Sequence, residues 1–354
     1  SIPDNRSCRN LFICNTDGSG KTQLTRYASS VSNARWSKDG SKIYFIFKGQ
    51  VWQAPFKGKS LGKMQKLSDI PAGVSGFSVS PDEANIIYVS SVRNTTLQQP
   101  SDSDPALDKA QAYATEDLMY RHWDHWVTEV PRSYVAPFGG ELITPDNSFD
   151  ILGTAELYEL PTEPFGGIEQ LAWAPDSRHI AYSCRKKTGK EYAFSTNSCI
   201  YITDIQSGQT LDVTTSGGYD TDPAWSADGK HLAWISMARD GYEADRQRLM
   251  ACNVELGDSV SIGAAHELSS TFDHDVTGPV WHGEEIFFSS LVSEGSLTIG
   301  RQSYALDMPV CFGMTLLAIL PPIITGKTHR LQGILLLVGY TAYIVVLVTK
   351  FGVA

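Results

Sequence analysis

The chain is short of positive charge and of nearly every residue pattern that marks a catalyst. Lys and Arg number 29 against 39 Asp and Glu, for a net charge of -10. No basic stripe with interleaved aromatics accompanies this balance, which excludes the electrostatic footprint of a nucleic-acid partner. Neither an HExxH pair nor a Rossmann glycine fingerprint is present. The 6 cysteines show no CxxC and no Cys/His ligand spacing, so neither a metal nor a cofactor is expected. No strand-to-helix elbow around a nucleophilic serine is read, since Ser75 in Gly73-Val74-Ser75-Gly76 and Ser216 before Gly217-Gly218 lack its spacing, and no catalytic residue is assigned. Gly18-Ser19-Gly20-Lys21-Thr22 resembles the end of a phosphate-binding loop, but Asn15 stands where the first glycine belongs. The chain opens at Ser1 without a charged-then-apolar leader, which reads as a processed mature protein or a fragment of a longer reading frame.

What is present is a repeat. Between Val213 and Leu249, Pro223-Ala224-Trp225-Ser226 leads through Ala227-Asp228-Gly229-Lys230 into the alternating run His231 to Ile235. Asp-Gly supplies the backbone angles of a tight hairpin, and alternation marks a half-buried strand. The pattern recurs at Trp36 with Ile43 to Phe47, at Phe77 with Ile86 to Val89, at Trp173 with Ile180 to Tyr182, and at Trp281 with Ile286 to Ser289. Five copies spaced by roughly 40 to 50 residues predict an all-β chain of β-propeller blades, each burying its faces only against its neighbours. The expected propeller occupies residues 1–297.

The repeat is interrupted after Val92. Residues 93–117 are polar and rich in Pro and Asp, as in an exposed excursion. The stretch Leu118 to Trp126 that follows is dense in aromatic and titratable groups. Read as a strand, it places Tyr120, His122, Asp124 and Trp126 on one face and Arg121, Trp123 and His125 on the other. Its rings would either pack between blades or face a cavity, where they and a carboxylate could hold a peptide. Cys184 and Cys199 flank the polar segment 185–198, which reads as a long hairpin loop. A disulfide across its base and a pair of reduced buried thiols are alternative states, and Cys8 with Cys14 poses the same choice.

Three stretches carry a resemblance: Leu118 to Trp126, Gly218-Tyr219-Asp220-Thr221-Asp222-Pro223-Ala224-Trp225-Ser226, and Ala238-Arg239-Asp240-Gly241-Tyr242-Glu243-Ala244-Asp245-Arg246. They resemble the propeller, with WD-like or TolB-like blades, of prolyl oligopeptidase-family serine peptidases, especially the dipeptidyl-peptidase and acylaminoacyl-peptidase-like members. The resemblance implies a module that gates and selects peptides for a separate Ser-Asp-His domain. It also implies acidic propeller residues that bind a free peptide amino terminus. Glu243 and Asp245, flanked by Tyr242 and Arg246, are the nearest candidates, or else they pair with Arg246 or Arg248 at a blade edge.

Beyond a junction at 298–304 the composition changes. Residues 305–354 hold two apolar runs, the first ending at Pro321-Pro322 and the second spanning Leu331 to Thr349 without a charge. That length suits a membrane span, and the two runs read as a two-helix transmembrane hairpin. Lys327, His329 and Arg330 lie in the connection, which the positive-inside rule assigns to the cytoplasm with the propeller outside. Thr325-Gly326-Lys327 to Arg330, followed by Gly333-Ile334-Leu335-Leu336-Leu337 with Tyr340 and Tyr343, resembles the last two helices of sodium/calcium exchanger-type antiporters. The resemblance implies a membrane partner. The acidic ion-binding motifs of that family have no counterpart, and the two resemblances together suggest a composite chain.

Overall fold

The computed structural model describes residues 7–214, 217–291 and 303–351. The chain divides into two units, Ser1–Leu291 and Val292–Ala354. Residues 298–302 of the expected junction lie outside the described residues.

In the first unit each predicted hairpin forms, and the first four open an antiparallel meander. The first blade comprises Val31–Trp36, Lys42–Phe47, Gln50–Pro55 and Gln65–Lys66. The second uses Gly76–Val79, Asn85–Arg93, Glu129–Pro137 and Phe149–Asp150. The third has Leu171–Trp173, His179–Cys184, Cys199–Asp204 and Thr210–Asp212. The fourth is built on Tyr219–Trp225, His231–Met237 and Arg248–Glu255, and the fifth on Thr277–His282 with Glu285–Ser289. A strand has two faces, and here both are apolar. Tyr44, Ile46, Phe77, Ile86 and Tyr88 close the gap between blades one and two, while Ile87, Trp173, Ile180 and Tyr182 close the next. Ala181, Ile200 and Ile202 then meet Leu232 and Trp234. Successive residues of one strand thus serve opposite neighbours.

The recurring tryptophan explains its own recurrence. In the third to fifth blades the indole Nε1 donates to a first-strand carbonyl of the preceding blade: Trp173 to Ser78 at 3.2 Å, Trp225 to Ala172 at 3.2 Å, and Trp281 to Ala224 at 3.0 Å. In the second blade the position is Val79, and Asn33 of the first blade bonds the Phe77 carbonyl at 2.8 Å instead. Trp36 is 51% exposed and packs edge-on against Phe56.

The hairpin turns follow one scheme. Ser37, Ser80 and Ser226 donate to the aspartate two residues on, Asp39, Asp82 and Asp228. In the third blade Ala174 replaces the serine, and buried His179 bonds Asp176 through Nδ1 at 2.6 Å. The residue after the aspartate is left-handed in every case, as the glycines Gly40 and Gly229 permit. Glu83 and Ser177 hold the same angles at the strained positions, and each makes a contact with the preceding blade's turn. Glu83 accepts the Lys38 N–H at 2.8 Å, and Ser177 accepts the Asp82 N–H at 3.0 Å.

In the second unit, Met308–Thr325 and Arg330–Val346 are α-helices. The helical segments Ala305–Thr325 and Arg330–Lys350 are long and apolar enough to cross a membrane, by length and composition. The first helix does not stop at Pro321-Pro322, as the sequence suggested, but runs through both to Thr325. Two prolines remove the N–H groups that would bond the Leu317 and Ala318 carbonyls. The buried Gln332 amide of the second helix donates to both carbonyls at 2.9 Å, which satisfies them.

If the indole bonds join the blades, Trp225→Phe should lower unfolding stability by about 1 kcal/mol, the net value of one such bond. Trp36→Phe should leave it within about 0.5 kcal/mol, as for an exposed site. Denaturant titrations of both variants check the contrast.

Candidate functional site

A meander reverses direction at every strand, so its connections fall alternately at two ends of the blades. The hairpin turns with their aspartates mark one end. The other end receives the links from second to third strand and from each blade to the next: residues 94–128, 151–170, 185–198 and 238–247. These are the long irregular segments, and they meet one another there.

Three of them meet at Glu159, a carboxylate only 1% exposed. His122 Nε2 lies 2.7 Å from Oε1, the Tyr192 hydroxyl donates to Oε2, and Arg185 Nη2 stands 3.8 Å away. The Arg185 guanidinium also covers the Tyr192 ring at 4.0 Å. Three loops from two blades thus converge on one buried charge, the arrangement such a charge requires. Burial, reinforced by Glu159, pushes the Tyr192 phenol far above its ordinary pKa, so it remains a donor.

Glu163, four residues on, is different. It is half-buried, and no described residue hydrogen-bonds its carboxylate. Burial first, and then the Glu159 charge, raise its pKa above 4.5, while His122 and His125 oppose the shift. Beside it in sequence, Phe165 packs edge-on against Trp123 at 4.9 Å, and each ring is 74% exposed. The site therefore offers an unsatisfied carboxylate and an exposed aromatic pair.

The stretch Leu118 to Trp126 is not the single strand expected. Arg121–His122 pairs with His125–Trp126 in a tight hairpin, and Trp123 takes a left-handed conformation at the turn. Chain reversal separates the residues that alternation would have aligned. His122 turns inward to Glu159, whereas exposed Asp124 bonds His125 at 3.3 Å. Trp126, 42% exposed, lies under Arg121 and near Tyr113 and Tyr120, so the tryptophans do not pack between blades.

The second group of candidates falls apart. Asp245 pairs with Arg239, whose guanidinium covers Tyr242, and Glu243 is exposed. Arg246 and Arg248 both turn to Glu267, at 2.5 and 3.9 Å, so neither carboxylate has the arginine partner expected. Asp240 instead ties this loop to the next by accepting from Ser195 and from the Thr196 N–H. The sequence reading missed Glu159, Glu163, Phe165, Arg185 and Tyr192. The one signal available was the run Glu159-Leu160-Pro161-Thr162-Glu163-Pro164, two carboxylates in a connection that Pro keeps out of any strand. Cys184 and Cys199 do bracket the loop expected, directly opposed, with both thiols free. A GxSxG string does occur at Gly58-Lys59-Ser60-Leu61-Gly62. It forms the exposed turn between the last two strands of the first blade and leads into a strand, not a helix, so it builds no nucleophile elbow.

Dipeptidyl-peptidase 5 of Porphyromonas gingivalis is 39% identical over 286 residues, 79% of this chain and 40% of that protein. The protein of the same name from Porphyromonas endodontalis is 38% identical over 252 residues, covering 70% and 36%. This similarity supports reading the β unit as a propeller domain like those of prolyl oligopeptidase-like peptidases. The chain spans about two fifths of the length of these curated relatives. The propeller also resembles the solved acylaminoacyl peptidase of Pyrococcus horikoshii, with a TM-score of 0.54 at 16% identity over 82% of this chain and 39% of that one. No protein-family model matches the chain.

The Tyr192 hydroxyl is one of few donors to a buried charge. Tyr192→Phe should cost about 1.5 to 3 kcal/mol, the range for hydrogen bonds to charged groups. Comparing denaturation midpoints with those of a Phe194→Leu control, at a ring that is 78% exposed, checks this.

Proposed function

We propose that the loop-bearing end of this propeller selects short peptides by their free amino terminus for a dipeptidyl-peptidase reaction whose catalytic groups lie outside the propeller. The observation that carries the reading is Glu163: a half-buried carboxylate without a donor among the described residues, beside a second carboxylate whose bonds are already made. A peptide ammonium supplies the missing donors and the opposite charge. Glu159 adds a negative field while its own partners keep it in place. Trp123 and Phe165 present ring faces and edges to the first side chains of the peptide. The propeller needs no nucleophile for this role. Identity to dipeptidyl-peptidase 5 supports the same direction.

The two C-terminal helices would anchor this propeller in a membrane, with the Lys327–Arg330 connection on the cytoplasmic side. The antiporter resemblance rests on its motif alone and adds no transport role to this reading.

Calorimetric titration of the full chain in detergent with Ala-Phe amide, and with its N-acetyl counterpart, tests the proposal. Binding is expected for the free amine only, and Glu163→Gln should weaken it by roughly 10- to 100-fold, the value of one charge-assisted bond. Equal binding of the acetylated peptide sinks the reading. The pH dependence has a definite sign. The ammonium needs an ionised Glu163, whose pKa is raised, so affinity should fall with acidification at a pH above that of an ordinary glutamate and should lose this step in Glu163→Gln.

A further inference from the structure

We propose that Cys184 and Cys199 are an oxidisable cross-strand pair whose disulfide fastens the loop that holds Glu159. The two residues end their strands directly opposite each other, in the register that pairs Tyr182 with Tyr201 and Ser183 with Ile200. Directly opposed residues point to one face of the sheet, and both cysteines pack in the apolar cluster between the second and third blades. Cβ atoms in such a pair stand about 4.5–5.5 Å apart, against 3.5–4.5 Å in a disulfide, so a small approach of the strand ends closes the bond.

The position gives the bond its consequence. Between the two cysteines runs the 185–198 loop with Arg185 and Tyr192, two of the three groups around Glu159. The Cys184 thiol donates to the Glu159 backbone carbonyl at 3.5 Å, so oxidation exchanges a bond across the site for a covalent tie at the loop's base. The remaining cysteines lack this setting. Cys252 is buried in a different blade, and Cys8, Cys14 and Cys311 are exposed.

The reaction is thiol–disulfide exchange with a small disulfide such as oxidised glutathione. Half-buried Cys199 is the accessible attacker. Its thiolate displaces one glutathione thiolate and forms a mixed disulfide. The Cys184 sulfur, losing its proton, then attacks the Cys199 sulfur and expels the second glutathione. Two protein thiols are oxidised and one glutathione disulfide is reduced to two thiols. Burial raises both cysteine pKa values, that of Cys184 to about 12, so exchange is slow in the folded protein and faster during refolding.

The test refolds the reduced full chain in detergent with oxidised glutathione, alkylates the free thiols, digests the protein and maps linked peptides by mass spectrometry. A Cys184–Cys199 link is expected, and two alkylated cysteines after refolding would overturn the proposal. Tryptic cleavage after exposed Lys190 reads the loop directly, without any peptide ligand. Cleavage should be several-fold slower in the oxidised than in the reduced protein, and Cys199→Ser should abolish the difference. A linked protein cleaved at the reduced rate, or a redox difference that survives in Cys199→Ser, overturns the coupling to the loop. Since the readouts are linkage and cleavage, their failure is distinct from failure of amino-terminus binding.

Discussion

The structure of the β unit depends on one arrangement repeated: a strand with two apolar faces that must be covered by two different neighbours. Ile87 packs into the cluster with the third blade while its sequence neighbours Ile86 and Tyr88 pack with the first. A blade is therefore not a stable object alone, and hydrophobic burial is meaningful only for the series. Burial has no direction, so it cannot set how far one blade slides past the next. The indole bonds of Trp173, Trp225 and Trp281 supply that registration. Where valine replaces the tryptophan, Asn33 provides a donor from the other side of the same interface, which shows that the constraint is the bond and not the residue.

Fixed blades have two ends with different freedom. At one, the first two strands join through turns of minimal length, stapled by Asp39, Asp82, Asp176 and Asp228, with little sequence left for anything else. At the other, the connections can lengthen without disturbing a strand, and the 94–128 excursion and the 151–170 link use that freedom. Glu159, His122, Tyr192 and Arg185 come together there because loops of adjacent blades are brought side by side by the packing beneath them.

This division explains what was legible in the sequence. The hairpins were readable because alternation, Asp-Gly and tryptophan recur at matched offsets, and each has a local physical cause. Blade three was readable despite its substitutions, since His179 takes the role that serine plays elsewhere. The stretch around Trp123 was misread because alternation over nine residues looks like a strand, whereas a non-glycine residue in a left-handed turn leaves no sequence mark. Glu159 and Glu163 were missed for a different reason. A loop residue's importance comes from what other loops place beside it, and no period in its own segment records that. The end of the first apolar helix failed in the same way: Pro321-Pro322 is a local stop signal, and a glutamine ten or eleven positions on in the other helix cancels it.

On the proposed reading, the two carboxylates at the loop-bearing end divide the work of binding an amino terminus. Glu159 is deeply buried and partnered by an imidazole, a phenol and a guanidinium, so its geometry is fixed before any ligand arrives. Such a network is costly to assemble and would be a poor direct ligand, because an incoming cation would have to displace bonds already made. Glu163 has no donor among the described residues to displace and enough exposure to be reached, yet the Glu159 charge behind it keeps the surroundings attractive to a cation. Fixing one carboxylate so that the other can remain unsatisfied is a way to hold a binding group ready at low reorganisation cost. On that reading, three loops converge on a residue that no ligand need touch.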